Sequence, residues 1–397
     1  MRKKAVFAYS FSDRNAGDFS LNISAIKILV DNGYFVTVVS RFCEGEEQFI
    51  STRKYLVGLF AGSVQLVGSP FRLDRSASLY KSVFNNLHGL LVSFGLIRNS
   101  EVDRLICNSD LVVLCGGNVL RCGRLSDYMR LRALDYPLSI ARKFGKRYII
   151  FPQSTAGINF FGKRILGRMI NNADVVFVRE DISFDRLSSW YPSARLEKSL
   201  DLAFFLMNED LFKDGRQGRK KIAFTIRAEA IGGLGALSHG DEAAVVEQVK
   251  AATLSLASNH DVYYIIQGSE SDREITYKIR NELLGSHGLD VPVLEEHDTF
   301  RLIEIYSGFD LLVGMRLHSI ILAAIAGTPS YGLFLKEWGF KNPGILAQLD
   351  LPCSFVDDGG GVDVDRVEEL LAEKKKFQGK VSALVDRNSD AITRFLS

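Results

Sequence analysis

Arg316 and His318, two positions apart in "LVGMRLHS", stand where one apolar run ends and the next begins. Arg227 holds the same position after the apolar run of "FTIRAE". A guanidinium fork suits carboxylate and phosphate oxygens in bidentate contacts that lysine does not reproduce. A histidine near a helix N-terminus can donate an N–H or move a proton near neutral pH. The plainer alternative is that these cations fix a helix end. Two arginines and a histidine at strand ends of one half favour a small, doubly anionic substrate, which would offset the cost of burying their charge. "FLKEWGF" adds Lys336 and Trp338, a further cation and a flat apolar wall, or surface packing alone.

The elements that must position these residues alternate in type. "KAVFAYS", "FVTVVSR", "SDLVVLCGG", "RYIIFPQS" and "ADVVFVRE" read as strands, with helical stretches such as "DFSLNISAIKILVDNG" between them. The second half repeats the pattern with "RKKIAFTIR", "DVYYIIQG", "LDVPVLE", "FDLLVGMR" and "TPSYGLFL". Short strands apolar on both faces, separated by helices, predict parallel sheets covered on each side. The expected fold is α/β: two doubly wound Rossmann-like domains facing a cleft. The first spans 1–205, a polar linker 206–220, and the second 221–397, whose terminal helices are free to pack back on the first. In such sheets ligands gather at the carboxyl ends of the strands.

Polar residues collect at those ends in the first half too. "SDRNAGDFS" places Asn15, Gly17 and Asp18 in a turn feeding a helix, where free N–H groups can hold an anion. Asp18 is alternatively the N-cap, or close to it. The turn lacks the spacing of the dinucleotide fingerprint and of the P-loop, which removes the main support for NAD or ATP. "CGGNVLR" offers Gly116 and Gly117 for close backbone approach and Asn118 to orient a hydroxyl, or is simply a tight turn. "FPQSTAG" presents Gln153 and Ser154, and "VRED" presents Arg179, for which a salt bridge to Glu180 or Asp181 is the structural alternative.

The composition narrows the class. In 397 residues, 49 basic and 47 acidic side chains leave a formal charge of +2, which argues against a nucleic-acid binder. Five scattered cysteines make no disulfide framework, and Cys115 with Cys122 lacks a second pair at metal-site spacing, so no metal is expected. The expectation is a reduced, cytoplasmic chain. Its apolar runs are too short to span a bilayer, which leaves room for contact with a membrane surface.

The ordered series "NAGD", "LCGGN", "PQSTAG", "VREDIS", "SLDLAFFL", "GMRLHS" and "GTPSYGLFLKEWG" resembles the polysaccharide pyruvyl transferase family over most of the chain. The resemblance implies a glycosyltransferase-B-like fold and transfer of a pyruvyl group from phosphoenolpyruvate to a sugar of a cell-surface polymer or its precursor. Phosphoenolpyruvate is then a co-substrate, with no tightly bound cofactor. Carried onto this chain, Arg227, Arg316, His318 and Lys336 would hold the donor. Asn15, Gly17, Asp18, Asn118, Gln153 and Ser154 would line the acceptor side. His318 and Arg316 would act on the phosphate side and Asp18 as base. A saccharide or lipid-linked saccharide is the implied acceptor, which would bring the protein to the inner face of a membrane. "PQSTAGINFF" departs from relatives in having no histidine and no "GQ" opening. A nucleotide-sugar glycosyltransferase and a non-catalytic glycan-binding relative are the competing readings.

Overall fold

The protein is described by a computed structural model covering residues 2–71, 79–122, 125–214, 217–229 and 237–396. At 79–83, 85, 86, 100, 118, 119, 125 and 126 it describes the backbone alone. The chain divides into two units. The first comprises Met1–Arg14, Asp18–Phe205 and Asn388–Ser397, and the second Asn15–Gly17 and Leu206–Arg387.

The first unit runs β1 (Lys3–Ser10), α1 (Ala16–Asp31), β2 (Tyr34–Ser40), α2 (Glu47–Leu59), β3 (Val64–Val67), α3 (Leu79–Ser93) and α4 (Ser100–Cys107). It continues β4 (Leu111–Leu114), β5 (Gly117–Cys122), α5 (Leu125–Lys143), β6 (Arg147–Ile158), α6 (Phe160–Asn171), β7 (Val175–Val178), α7 (Asp181–Trp190) and β8 (Leu196–Lys198). Every described strand pair is parallel, in the order β3-β2-β1-β4-β6-β7-β8, with β5 beside β6. Strands such as "LVVL" and "VVFV" are buried along their whole length, as a sheet covered on both faces requires. Along the edge away from β7, β6 serves two partners in turn: its residues 147–150 pair with β4, and the β5 register begins at Gln153. Pro152, which has no N–H to give to a ladder, falls between those registers.

The chain's last turn belongs to this unit. Tyr34 Oη donates to the Leu396 carbonyl at 2.8 Å, Arg147 Nη2 to that of Phe395 at 3.0 Å, and the Leu200 N–H to Asn388 Oδ1 at 3.2 Å.

The second unit runs β9 (Lys221–Thr225), α8 (His239–Ala257), β10 (Asp261–Ile266), α9 (Glu270–His287), β11 (Val293–Glu295), α10 (Thr299–Ser307) and β12 (Leu311–Gly314). Then follow α11 (Leu317–Ile325), β13 (Ser330–Phe334), α12 (Lys341–Gln348), β14 (Cys353–Phe355), α13 (Val364–Ala372) and α14 (Lys374–Thr393). Its sheet is parallel in the order β11-β10-β9-β12-β13-β14. The order reverses between neighbours in both sheets, at β1/β4 in the first and at β9/β12 in the second. Those switch points are where open α/β sheets leave a crevice beyond the carboxyl ends of their strands.

Candidate active site

Arg227 and Arg316 follow β9 and β12, the two strands that flank the switch point of the second sheet. The chain puts them there because four or five apolar residues must be buried first. The next side chains can then emerge at the sheet's end. Arg316 occupies the N-cap position of α11, yet its side chain caps nothing. Its guanidinium pairs instead with Asp272, in the first turn of α9, and lies 3.4 Å from Glu229 Oε2. The Asp272 side chain is 2% exposed, so this pair is an interior one.

Asp272 ties two strand ends together. Oδ2 holds Arg316, while Oδ1 accepts the Ala228 N–H at 2.9 Å, fixing the segment that carries Arg227. Gly268 makes the approach feasible. A Cβ there would overlap Asp272 Oδ2 and lie 2.6 Å from the Arg316 guanidinium carbon. Burial pushes the Asp272 carboxyl up, and Arg316 and the Ala228 N–H pull it down without cancelling the rise.

Arg227 lies over the buried Trp338 ring, 4.7 Å from its centroid, and its Nε donates to the Glu229 carbonyl at 3.1 Å. Burial and the neighbouring Arg316 charge hold Arg227 down to about 10, with Glu229, Asp272 and Glu337 opposing. Burial acts to raise Glu229, but a hydrogen bond with Ser269 and the charges of Arg316 and Arg227 outweigh it, so its carboxyl titrates low. The stability this group contributes is present above the ordinary carboxylate value of about 4.5 and is lost as pH falls through the lowered one. A guanidinium whose ionisation is made costlier by burial and by a second guanidinium beside it forms a site that an incoming anion relieves.

His318 is half-buried in the first turn of α11. Gly17 lies against it: a Cβ at residue 17 would be 2.5 Å from His318 Cβ and 2.6 Å from Nδ1. The adjoining Ala16 carbonyl accepts from Thr299 Oγ1, the first residue of α10, at 3.0 Å. The "NAGD" turn thus divides its residues, with Asn15–Gly17 grouped with the second unit.

Asp18 lies inside the first turn of α1, so it is not the N-cap. It faces the carboxyl end of β4, where burial pushes the Cys115 thiol up to about 12; Arg41 opposes, and Asp18 and Asp201 add to the rise. Gln153 and Ser154 are fully buried. Gln153 Nε2 donates to the Cys115 carbonyl, and Ser154 Oγ accepts from Arg179 Nε at 2.8 Å. Their contacts fasten the middle of β6 to its neighbours in the sheet. Arg179 pairs with buried Asp201, not with Glu180 or Asp181. Glu180 caps α7 through the Ser183 N–H at 2.9 Å, and Asp181 pairs with Lys198 at 2.7 Å. Asn118 lies in β5, and its side chain is outside the described residues. Lys336 is exposed and paired with Asp358, whose hydrogen bond raises it, while Trp338 two positions on turns inward to Arg227. Among the described residues no group of three His, Cys, Asp or Glu side chains could hold a metal ion.

Two parallel, doubly wound sheets, each flanked by helices, make this a glycosyltransferase-B-like protein. Solved structures share that architecture at low identity. Sucrose-phosphate synthase from Thermosynechococcus elongatus has a TM-score of 0.60 and 12% identity, covering 99% of this chain and 96% of that one. UDP-GlcNAc 2-epimerase from Neisseria meningitidis has 0.56 and 12%, covering 99% of each. A UDP-glucosyltransferase from Polygonum tinctorium has 0.56 and 11%, covering 100% and 97%. The chain belongs to the polysaccharide pyruvyl transferase family, whose match runs over residues 15–333. Its general reaction is transfer of the pyruvyl group of phosphoenolpyruvate to a sugar.

Proposed function

We propose that Arg227, Arg316 and His318 form the donor site, with the two guanidiniums on the phosphate and carboxylate of phosphoenolpyruvate. The observation that carries this reading is the placement of both arginines at the β9/β12 switch point, with His318 two residues beyond Arg316 in the first turn of α11. The reaction protonates the methylene carbon of the enol. One sugar hydroxyl attacks the resulting oxocarbenium-like carbon and loses its proton. Phosphate then leaves with the C–O bond electrons, and a second hydroxyl of the same sugar closes the ketal. Arginines stabilise the departing phosphate without giving up a proton. His318 supplies the donor or acid on the phosphate side, and Asp18 the base for the hydroxyls. Asn15, Gly17 and Asn118 fall to the acceptor side. Gln153 and Ser154 support that wall from within the sheet, and Lys336 is at most peripheral to the donor.

The finer cellular reading is a cytoplasmic protein working on a lipid-linked saccharide at the inner face of a membrane. No helix among the described residues is long and apolar enough to cross a bilayer. Support for surface contact comes from exposed Phe84, Leu87, Phe94 and Leu96, the last 73% exposed, in a stretch from 79 to 100 with no acidic residue.

Calorimetric titration of phosphoenolpyruvate into the full chain, with UDP-glucose and ATP as comparators, tests the site assignment. Binding of phosphoenolpyruvate alone, weakened at least about tenfold in Arg227→Gln, is expected. Unchanged affinity in that variant would move the donor elsewhere. The same titration against pH has a defined shape. Arg227 attracts the donor only while it is charged, so affinity should hold from pH 8 to 9 and fall above about 10, a decline that Arg227→Gln lacks.

A further inference from the structure

Glu229 touches both donor arginines, and the donor chemistry gives it no task. Its main-chain carbonyl accepts from Arg227 Nε at 3.1 Å, and its carboxylate lies 3.4 Å from Arg316 Nη2. Arg316 therefore faces two carboxylates, and they are held very differently. Asp272 takes Nε and Nη2 of Arg316 on Oδ2, accepts the Ala228 N–H on Oδ1, and has a side chain only 2% exposed. Glu229 Oε2 stands well beyond the roughly 2.7–2.9 Å of a charge-assisted N–H···O bond, on a side chain 27% exposed.

The backbone does not share that looseness. Ala228 is pinned through its N–H to Asp272 and through its carbonyl, which accepts the Leu237 N–H at 3.1 Å. What can turn is the Glu229 side chain, between staggered rotamers that leave its carbonyl with Arg227 and Asp272 in place. The edges of the Arg316 guanidinium decide what such a turn does. Asp272 closes the Nε/Nη2 edge. A bidentate anion must then use the Nη1/Nη2 edge, and Glu229 stands at its Nη2 corner. A carboxylate laid loosely on a guanidinium that receives an anion is a competitor for it.

We propose that Glu229 is the donor site's own competing anion: it rests on Arg316 before the donor arrives, yields the Nη1/Nη2 edge to the donor, and returns to it as the phosphate product leaves. The proposal rests on the donor reading and adds to it the residue that sets how tightly anions are kept. A guanidinium occupied part of the time binds an incoming anion more weakly by that fraction, and the penalty falls on donor and phosphate alike. Phosphoenolpyruvate has two anionic groups to set against it, one for each arginine. Phosphate has one, so the same penalty favours its departure.

Inorganic phosphate and phosphoenolpyruvate, each titrated into the full chain, are the probes. Both dissociation constants should fall at least about threefold in Glu229→Gln, which keeps the shape and removes the charge. Phosphate should inhibit transfer at correspondingly lower concentration. A residue that only held Arg316 in position would give the opposite sign, weaker binding of both. Glu229→Asp separates competition from the mere field of a nearby negative charge. Its carboxylate keeps the charge but ends one carbon short of Arg316, so competition predicts tightening of at least about twofold and a field effect predicts none. Binding that is unchanged or weaker in Glu229→Gln, or tightening there that Glu229→Asp lacks, overturns the inference. A normal loss of affinity in Arg227→Gln beside either of those results strikes the inference alone. Phosphoenolpyruvate affinity that ignores Arg227→Gln strikes the donor reading and the inference with it.

Discussion

Arg316→Ala is expected to abolish transfer and also to destabilise the second unit by about 3–5 kcal/mol at pH 8, because it leaves the buried Asp272 carboxylate without its cation. The two effects have different origins and can be separated. Burial already pushes Asp272 up, and losing Arg316 pushes it further. A neutral carboxyl is cheaper to bury than a carboxylate. The stability penalty is therefore present above the raised value and shrinks as pH falls through it, so Arg316→Ala should recover part of its melting temperature as the pH is lowered from 8. Arg316→Ala combined with Asp272→Asn removes the orphaned charge while keeping an acceptor for the Ala228 N–H. That double variant should melt within about 1 kcal/mol of the wild type and still transfer about 100-fold more slowly or worse. Near-normal transfer by the stable double variant would make Arg316 a structural residue and take it out of the donor site.

This coupling explains which parts of the site were readable from the sequence. Apolar runs ending in Arg227 and Arg316 could be read as strand ends, because burial on both faces of a parallel sheet forces continuous apolar runs and leaves the first polar residue at the rim. The partners of those arginines were not readable. "SESDREI" looks like the acidic, solvated start of a helix, and α9 does begin there. What turns Asp272 inward is the closeness of β9, β10 and β12, together with the missing Cβ of Gly268. Glu229 hides in the same way in the loop after β9. Arg179 shows the opposite error, for its sequence neighbours offered two carboxylates, but each is engaged at α7 and the buried partner is Asp201. A cue existed for the Trp338 platform in the tryptophan of "FLKEWGF", although Lys336, two positions before it, pairs with Asp358.

Gly17→Ala should cost most of the activity, against the expectation from helix propensity. Gly17 is the second residue of α1, and alanine is favoured over glycine in a helix by about 1 kcal/mol, so propensity alone predicts a stabilised protein. The geometry predicts otherwise. An added Cβ would sit 2.5 Å from His318 Cβ and 2.6 Å from Nδ1, closer than non-bonded carbon atoms approach. His318 is held on α11 by a helix buried along its length, and Ala16 is held by the Thr299 hydroxyl, so neither side yields cheaply. Rotating the imidazole leaves His318 Cβ where it is, so the backbone must shift and carry the imidazole off its position. Because the arginines are untouched, phosphoenolpyruvate affinity should change by less than about threefold, while kcat falls about 100-fold, the scale of a displaced general acid. Gly17→Ser should do the same. His318→Gln should be equally slow, and adding Gly17→Ala to it should bring little further loss, since the group that the Cβ displaces has already been removed. Additive losses in the double variant would show that Gly17 serves the acceptor wall directly and that its approach to His318 is packing alone.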